Sequence, residues 1–81
     1  MLYSVHSKNP ITVSYVNLNG MNTITQNNGV WSTSFNIPKE KYPGFIIDIE
    51  VVTKGDFYVI IYKNGYSHRV YRSKDYIQII Y

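Results

Sequence analysis

The sequence of 81 residues contains no cysteine and no alanine. Without cysteine it can form neither a disulfide nor a thiolate metal site, and its composition suits reducing and oxidising compartments alike. Alanine is the best helix former, whereas the abundant Val, Ile, Thr and Tyr favour strands. No apolar run reaches the ~18 residues of a transmembrane helix. The net charge of +3 is too small to indicate nucleic-acid binding by itself.

Short β-rich runs are separated by clusters of Gly, Asn, Pro and Asp, and no helical periodicity persists. The runs lie at 2–6, 11–16, 30–37, 45–53, 57–63, 66–72 and 76–81, and a weaker polar run lies at 23–26. This pattern predicts one all-β domain over residues 1–81, an antiparallel immunoglobulin-like β-sandwich of about seven strands. A small closed β-barrel is the alternative.

The clearest hairpin signal is Asn64-Gly65, which favours a two-residue type I′ turn. Such a turn pairs Lys63 with Tyr66 and determines the register of the strands that follow. It gathers one face opposite the core, formed by Tyr58, Ile60, Tyr62, Arg69 and Tyr71. Tyrosine and arginine are enriched at binding hot spots, so these five residues are candidate partner contacts. Cross-strand aromatic pairs also stabilise sheets without any binding role, and both readings stay open.

The last strand, 76–81, is apolar and has neither proline nor lysine. At the edge of a sheet, such a strand can pair with a strand of another chain. Tyr76, Gln78 and Ile80 are therefore candidate strand-pairing residues, and a homodimer can form through this strand if it lies at an edge.

No arrangement of residues indicates catalysis. His6 and His68 are far apart in sequence and have no metal-ligand spacing. Asp48 and Glu50 share one face of a strand, where their expected role is solubility and protection of an edge. We predict no enzyme activity, no metal and no cofactor.

Basic residues are concentrated late in the chain, with tyrosines between them. They are Lys63, Arg69, Arg72 and Lys74, with Tyr66 and Tyr71 interleaved. Aromatic side chains beside a basic groove bind single-stranded nucleic acid in small β-barrels. A single-stranded nucleic-acid or polyanion binder is therefore an alternative, although the small charge excess makes nucleic acid an unfavoured partner.

Three segments, 11–17 with Gly20, 30–35 and 59–65, resemble the mycobacterial membrane protein small (MmpS) family and its secreted relatives. They read ITVSYVN, VWSTSF and VIIYKNG. The resemblance implies an immunoglobulin-like or transthyretin-like sandwich, an extracytoplasmic or secreted location, and accessory partnership with exporters. The chain departs from the family by lacking its amino-terminal anchor, the cysteines of some members and the proline that often precedes the tryptophan.

We therefore expect a non-catalytic protein-interaction domain that binds through a sheet face or edge. A small phage or mobile-element protein that inhibits a host complex is a further alternative.

Overall fold

The computed structural model describes residues 1–63 and 67–80, except the side chains at 42, 43, 67 and 68. These residues form six strands and one short 3-10 helix, Lys39–Gly44. The strands are β1 (Leu2–Ser7), β2 (Ile11–Asn17), β3 (Gly20–Gln26), β4 (Val30–Ser34), β5 (Asp48–Lys63) and β6 (Ser67–Ile80). In the described part of the chain, no helix is long and apolar enough to cross a membrane.

All six strands belong to one antiparallel sheet with β5 at its centre. β1 and β2 lie end to end along one side of β5, with β4 beyond β1 and β3 beyond β2. β6 runs along the opposite side of β5. The sheet thus has two halves. The first half consists of β4, β1, residues 56–63 of β5 and residues 67–74 of β6. The second half consists of β3, β2, residues 48–52 of β5 and residues 76–80 of β6.

A line of irregular backbone crosses the sheet between the two halves. β5 has a bulge between Val52 and Asp56, where β6 contributes Asp75 alone. Asp75 has a positive φ of 67°, and its carboxylate accepts a hydrogen bond of 2.6 Å from the Gly55 N–H. On the other side of β5, the Ser7 N–H donates to the Gly29 carbonyl at 2.7 Å. Bulges bend strands, so the sheet curls along this line.

The curl brings the inner faces of the two halves together around the core. Tyr15 of the second half lies 6.0 Å from Tyr3 and 5.0 Å from Trp31 of the first half, measured between ring centroids. The Tyr3 hydroxyl donates to the Val16 carbonyl at 3.3 Å. The fully buried side chains are Tyr3, Val5, Ile11, Val13, Ile47, Ile49, Val51, Val59 and Ile61. One curled sheet therefore supplies both walls of the core as a half-barrel.

The all-β prediction is confirmed, but the strand count was wrong. The predicted runs 45–53 and 57–63 are joined in β5, which begins only at Asp48, because the residues between the two runs make a bulge and not a turn. The described residues of the runs 66–72 and 76–81 likewise belong to one strand, β6, since Asp75 bends the strand without reversing it. The closed barrel is not formed either: in the described ranges no ladder joins β6 to β3 or β4.

Candidate functional site

The register of the β5–β6 hairpin differs from the prediction by one residue. Lys63 pairs with Ser67, and not with Tyr66. The predicted Asn64-Gly65 turn itself lies outside the described residues. Three residues therefore separate the paired positions, and the side chains from Arg69 to Arg72 lie on the face opposite to the one predicted.

This register divides the predicted contact face. Tyr71 lies opposite Val59, where it is half-buried and packs against the core, and Arg69 lies opposite Ile61. Neither shares the face of Tyr58 on the neighbouring strand. The cause is the alternation along β6, where Tyr71 has the same parity as the inward-facing Ile77 and Ile79.

The remaining predicted contacts, Tyr58, Ile60 and Tyr62, stay together and acquire other neighbours. In the sheet register His6 pairs with Tyr58 and Tyr58 with Arg72, while Ile60 pairs with Val70. Leu2 pairs with Tyr62 at the far end. We call this surface of the first half the outer face; it comprises Leu2, His6, Tyr58, Ile60, Tyr62, Val70 and Arg72. It combines apolar and aromatic side chains with one guanidinium.

Much of the outer face is accessible. Tyr62 is 40% exposed and Val70 is 45% exposed, and Val30 of β4 continues the surface beside His6 with 59% exposure. Leu2, Tyr58 and Ile60 are half-buried. Contiguous exposed apolar side chains of this kind mark interaction surfaces.

One row of the outer face is held rigid by stacking. The His6 ring is parallel to the Tyr58 ring, with centroids 4.6 Å apart and an interplanar angle of 7°. The Arg72 guanidinium lies 5.5 Å from the Tyr58 centroid, within the range of a cation–π contact. Because β1 and β6 flank β5, these two groups approach Tyr58 from opposite sides. His6 is further oriented by a 2.7 Å hydrogen bond between its Nε2 and the Ser4 hydroxyl.

Beside this row the surface forms an open groove of about 740 Å³. We call it the basic groove; its lining residues are His6, Ser7, Lys8, Asp56, Phe57, Tyr58, Arg72, Ser73 and Lys74. Lys8, Lys74 and Arg72 supply three positive charges, against the single carboxylate of Asp56. Within the described part of the chain, the ammonium groups of Lys8 and Lys74 form no ion pair.

The predicted basic cluster is therefore only partly assembled. Arg72 and Lys74 share the outer side of β6, whereas Arg69 lies on its other side and Lys63 is the last residue of β5. β1 contributes His6, and Lys8 follows the end of β1; sequence reasoning did not connect either residue with this site. The alternation of Leu2, Ser4 and His6 placed His6 on one face, but nothing local indicated that β1 pairs with β5.

The predicted pairing residues Tyr76, Gln78 and Ile80 lie on the outer side of β6 in the second half, and all three are exposed. The Tyr76 hydroxyl donates to Glu50 at 2.9 Å, and Gln78 donates to Asp48 at 3.4 Å. The hydrogen bond to Glu50 raises the pKa of Tyr76 above 10.0; desolvation and the charges of both carboxylates act in the same direction. Among the described residues, β6 pairs with β5 alone, so β6 is an edge strand.

In the described part of the chain, no group of three or more histidine or acidic side chains is placed to hold a metal ion. Comparison with protein-family models, with curated proteins and with solved structures gave no match. The outer face, the basic groove and the β6 edge are the features of the described residues that bear on function.

Proposed function

We propose that this chain is a non-catalytic protein-interaction domain that binds its partner through the outer face of the first half-sheet. The observation that carries the proposal is the accessible surface around Ile60, where tyrosines and aliphatic side chains adjoin a guanidinium. Interfaces concentrate their binding energy in a few such residues, with tyrosine and arginine enriched.

Rigidity of the site supports the same function. His6 and Arg72 each contact the ring of Tyr58, and the three residues lie on the central strand and its two neighbours. A surface whose side chains are already ordered loses less conformational entropy on binding. His6, Tyr58 and Arg72 would therefore need little rearrangement when the partner binds.

Photo-crosslinking tests the proposal. The photoreactive residue p-benzoylphenylalanine replaces Tyr62 on the outer face, or Met21, which is 59% exposed on β3 of the second half. We expect a discrete crosslinked protein from position 62 and none from position 21. Equal crosslinking from both positions, or none from position 62, would refute the proposed face.

Affinity for the purified crosslinked partner provides the quantitative test. Val70→Asp introduces a charge into the outer face, and Met21→Asp makes the same kind of change on another exposed edge strand. We expect Val70→Asp to weaken binding by about thirtyfold, the effect of one hot-spot residue, and Met21→Asp to leave it unchanged. Unchanged binding by a folded Val70→Asp variant would contradict the proposal.

Pairing at the β6 edge is a second candidate, favoured by the uncharged stretch from Tyr76 to Ile80, which pairs with β5 on one side and with no other strand of the described residues. Antiparallel pairing of two copies centred on Gln78 places each Tyr76 opposite the partner's Ile80. Like charges directly opposite each other destabilise a sheet, so Gln78→Lys should convert the dimer to a monomer, while Thr25→Lys on β3 should not. Light scattering distinguishes these outcomes, and a monomeric wild-type protein at high concentration would exclude the dimer.

The proposed location is extracytoplasmic or secreted, and the proposed relationship is to the immunoglobulin-like or transthyretin-like domains of the MmpS family. Both proposals depend on the three sequence segments that resemble that family. Fractionation of the source cells, with detection of the native protein, tests the location: recovery from the cytoplasm alone would contradict it.

A further inference from the structure

The basic groove adjoins the outer face without interruption, because His6, Tyr58 and Arg72 belong to both surfaces. Along β5, from Ile60 towards the bulge at Val52–Asp56, the surface changes from apolar to cationic within two residue positions, roughly 7 Å. A ligand lying along β5 would therefore meet apolar side chains first and positive charges next.

The charges of the groove suit a small number of carboxylates. Lys74 pairs with Asp56 in the sheet register, and Lys8, which follows Ser7 at the end of β1, lines the same groove. The Asp56 carboxylate repels a continuous row of phosphates, while the cations of the groove attract single anionic groups. The charge excess of the groove thus matches one or two acidic side chains.

The polar groups at the floor of the groove are already engaged. The Ser7 hydroxyl contacts the Thr53 hydroxyl at 3.2 Å and accepts from the Asn9 N–H at 3.1 Å. The Ser73 hydroxyl donates to the Tyr76 carbonyl at 2.7 Å. Recognition in the groove therefore falls to the cationic side chains.

The Tyr58 ring in the groove is not free to stack on a nucleobase. Single-stranded nucleic acids bind by stacking bases on exposed aromatic faces. The two faces of the Tyr58 ring are covered by His6 and by the Arg72 guanidinium. Tyr58 therefore gives the groove no stacking platform for a base, and the adjoining apolar surface suits protein side chains.

We infer that the basic groove binds acidic side chains of a polypeptide segment whose apolar side chains lie on the outer face. This inference rests on the proposed function and specifies the chemistry of the partner. Lys8, Arg72 and Lys74 bind the carboxylates, and Ile60 and Val70 contact the apolar part of the segment.

The test begins with selection of binders to the full chain from displayed random peptides of about twelve residues, which span about 40 Å when extended. We expect the enriched peptides to combine acidic with apolar residues. A labelled peptide of the consensus sequence is then titrated with protein and followed by fluorescence anisotropy. Enriched peptides without an excess of acidic residues would overturn the inference.

Charge variants then locate the site. Lys8→Gln/Lys74→Gln removes two charges from the groove without touching the stacked row, and Lys39→Gln/Lys41→Gln removes two charges from the 3-10 helix. We expect the groove variant to weaken binding about tenfold and the helix variant to leave it unchanged. A consensus peptide with glutamine in place of glutamate should bind both variants and the wild type equally. Equal binding of the acidic peptide by wild type and groove variant would overturn the inference.

The remaining outcomes separate this inference from the proposed function. If Val70→Asp loses peptide binding and the groove variant does not, the outer face remains the binding surface and the inferred role of the basic groove is refuted. Loss in the groove variant alone refutes the outer face as the contact for apolar side chains. Binding of an oligothymidylate as tight as that of the peptide, with the same dependence on the two lysines, identifies a general polyanion site and overturns the inference.

Discussion

Replacement of Gly29 by alanine tests the bend of the sheet, the line of irregular backbone where Gly29 closely approaches Ser7. Gly29 lies between β3 and β4, where its carbonyl accepts the 2.7 Å hydrogen bond from the Ser7 N–H. A Cβ at this position would lie 1.9 Å from the Ser7 carbonyl oxygen and 2.8 Å from that of Asn9. Both obstructing atoms belong to the backbone, so no side-chain rotation can relieve the clash. Gly29→Ala must therefore displace the end of β1 from the turn that leads into β4.

The expected destabilisation follows from these contacts. Overpacking that side chains can absorb costs about 1–3 kcal/mol, and here backbone must move instead. Weakening the hydrogen bond adds about 1 kcal/mol. We expect a loss of about 3–4 kcal/mol, from a total of about 4–12 kcal/mol for a domain of this length. The melting temperature should then fall by at least about 12 °C.

Urea denaturation followed by fluorescence measures this effect, because the single tryptophan, Trp31, is buried beside Tyr15. The matched control is Gly44→Ala: a Cβ there meets nothing within 4 Å. This variant should be neutral or about 0.4–1 kcal/mol more stable, since alanine restricts the unfolded chain. If Gly29→Ala unfolds at the same urea concentration as Gly44→Ala, the close approach at the bend does not exist and the reasoning is wrong.

Three further predictions concern β5 and β6. Because the pKa of Tyr76 is raised on folding, its hydrogen bond should stabilise the protein fully below about pH 10 and lose that effect as the pH rises through the raised pKa; the difference in urea midpoint between wild type and Tyr76→Phe should stay constant up to about pH 10 and shrink above it, and a difference that stays constant above about pH 10 would contradict this. Asp75→Ala removes the acceptor of the Gly55 N–H and places alanine at a positive φ, so it should lose about 1–3 kcal/mol, whereas Asp75→Asn should lose less than half of that; equal urea midpoints for the two variants would argue against this role. Val59→Ala, in the core, should lose about 2 kcal/mol by urea denaturation and Val52→Ala, which is 46% exposed, less than 1 kcal/mol; similar losses would place Val59 outside the core.

The strands were predictable where alternation is local. In β2 the buried Ile11 and Val13 alternate with half-buried polar residues, and this strand lies where the sequence placed it. The two bends were not predictable in the same way. Both bends contain residue types that are common in turns and also occur in bulges. The two segments are Lys54-Gly55-Asp56 and Ser73-Lys74-Asp75. Whether the chain reverses or merely bends there depends on the strand alongside.

In the candidate site too, features set by neighbours along the chain were predictable, and features set by strand pairing were not. Tyr58, Ile60 and Tyr62 were correctly placed on one side of β5, because successive side chains of a strand alternate. Their neighbours on β6 were wrong by one residue, so Val70 and Arg72 occupy the positions expected for Arg69 and Tyr71. That the terminal strand would matter as an edge was a conditional prediction, and β6 does lie at an edge of the described sheet. The binding roles of all these residues stay predictions.

By itself, the sequence determined that this protein is built of strands and which residues of each strand share a face, since both properties arise from neighbours along the chain. Only the tertiary structure decided that β1 lies beside β5, that Lys63 pairs with Ser67, and that Gly29 closes on Ser7. The physical reason is that strand pairing joins residues distant in sequence, and a shift of one residue exchanges the two faces of a strand. The packing of Tyr71, Ile77 and Ile79 against the core goes with one choice among those registers, and with it the residues that a partner meets on the outer face.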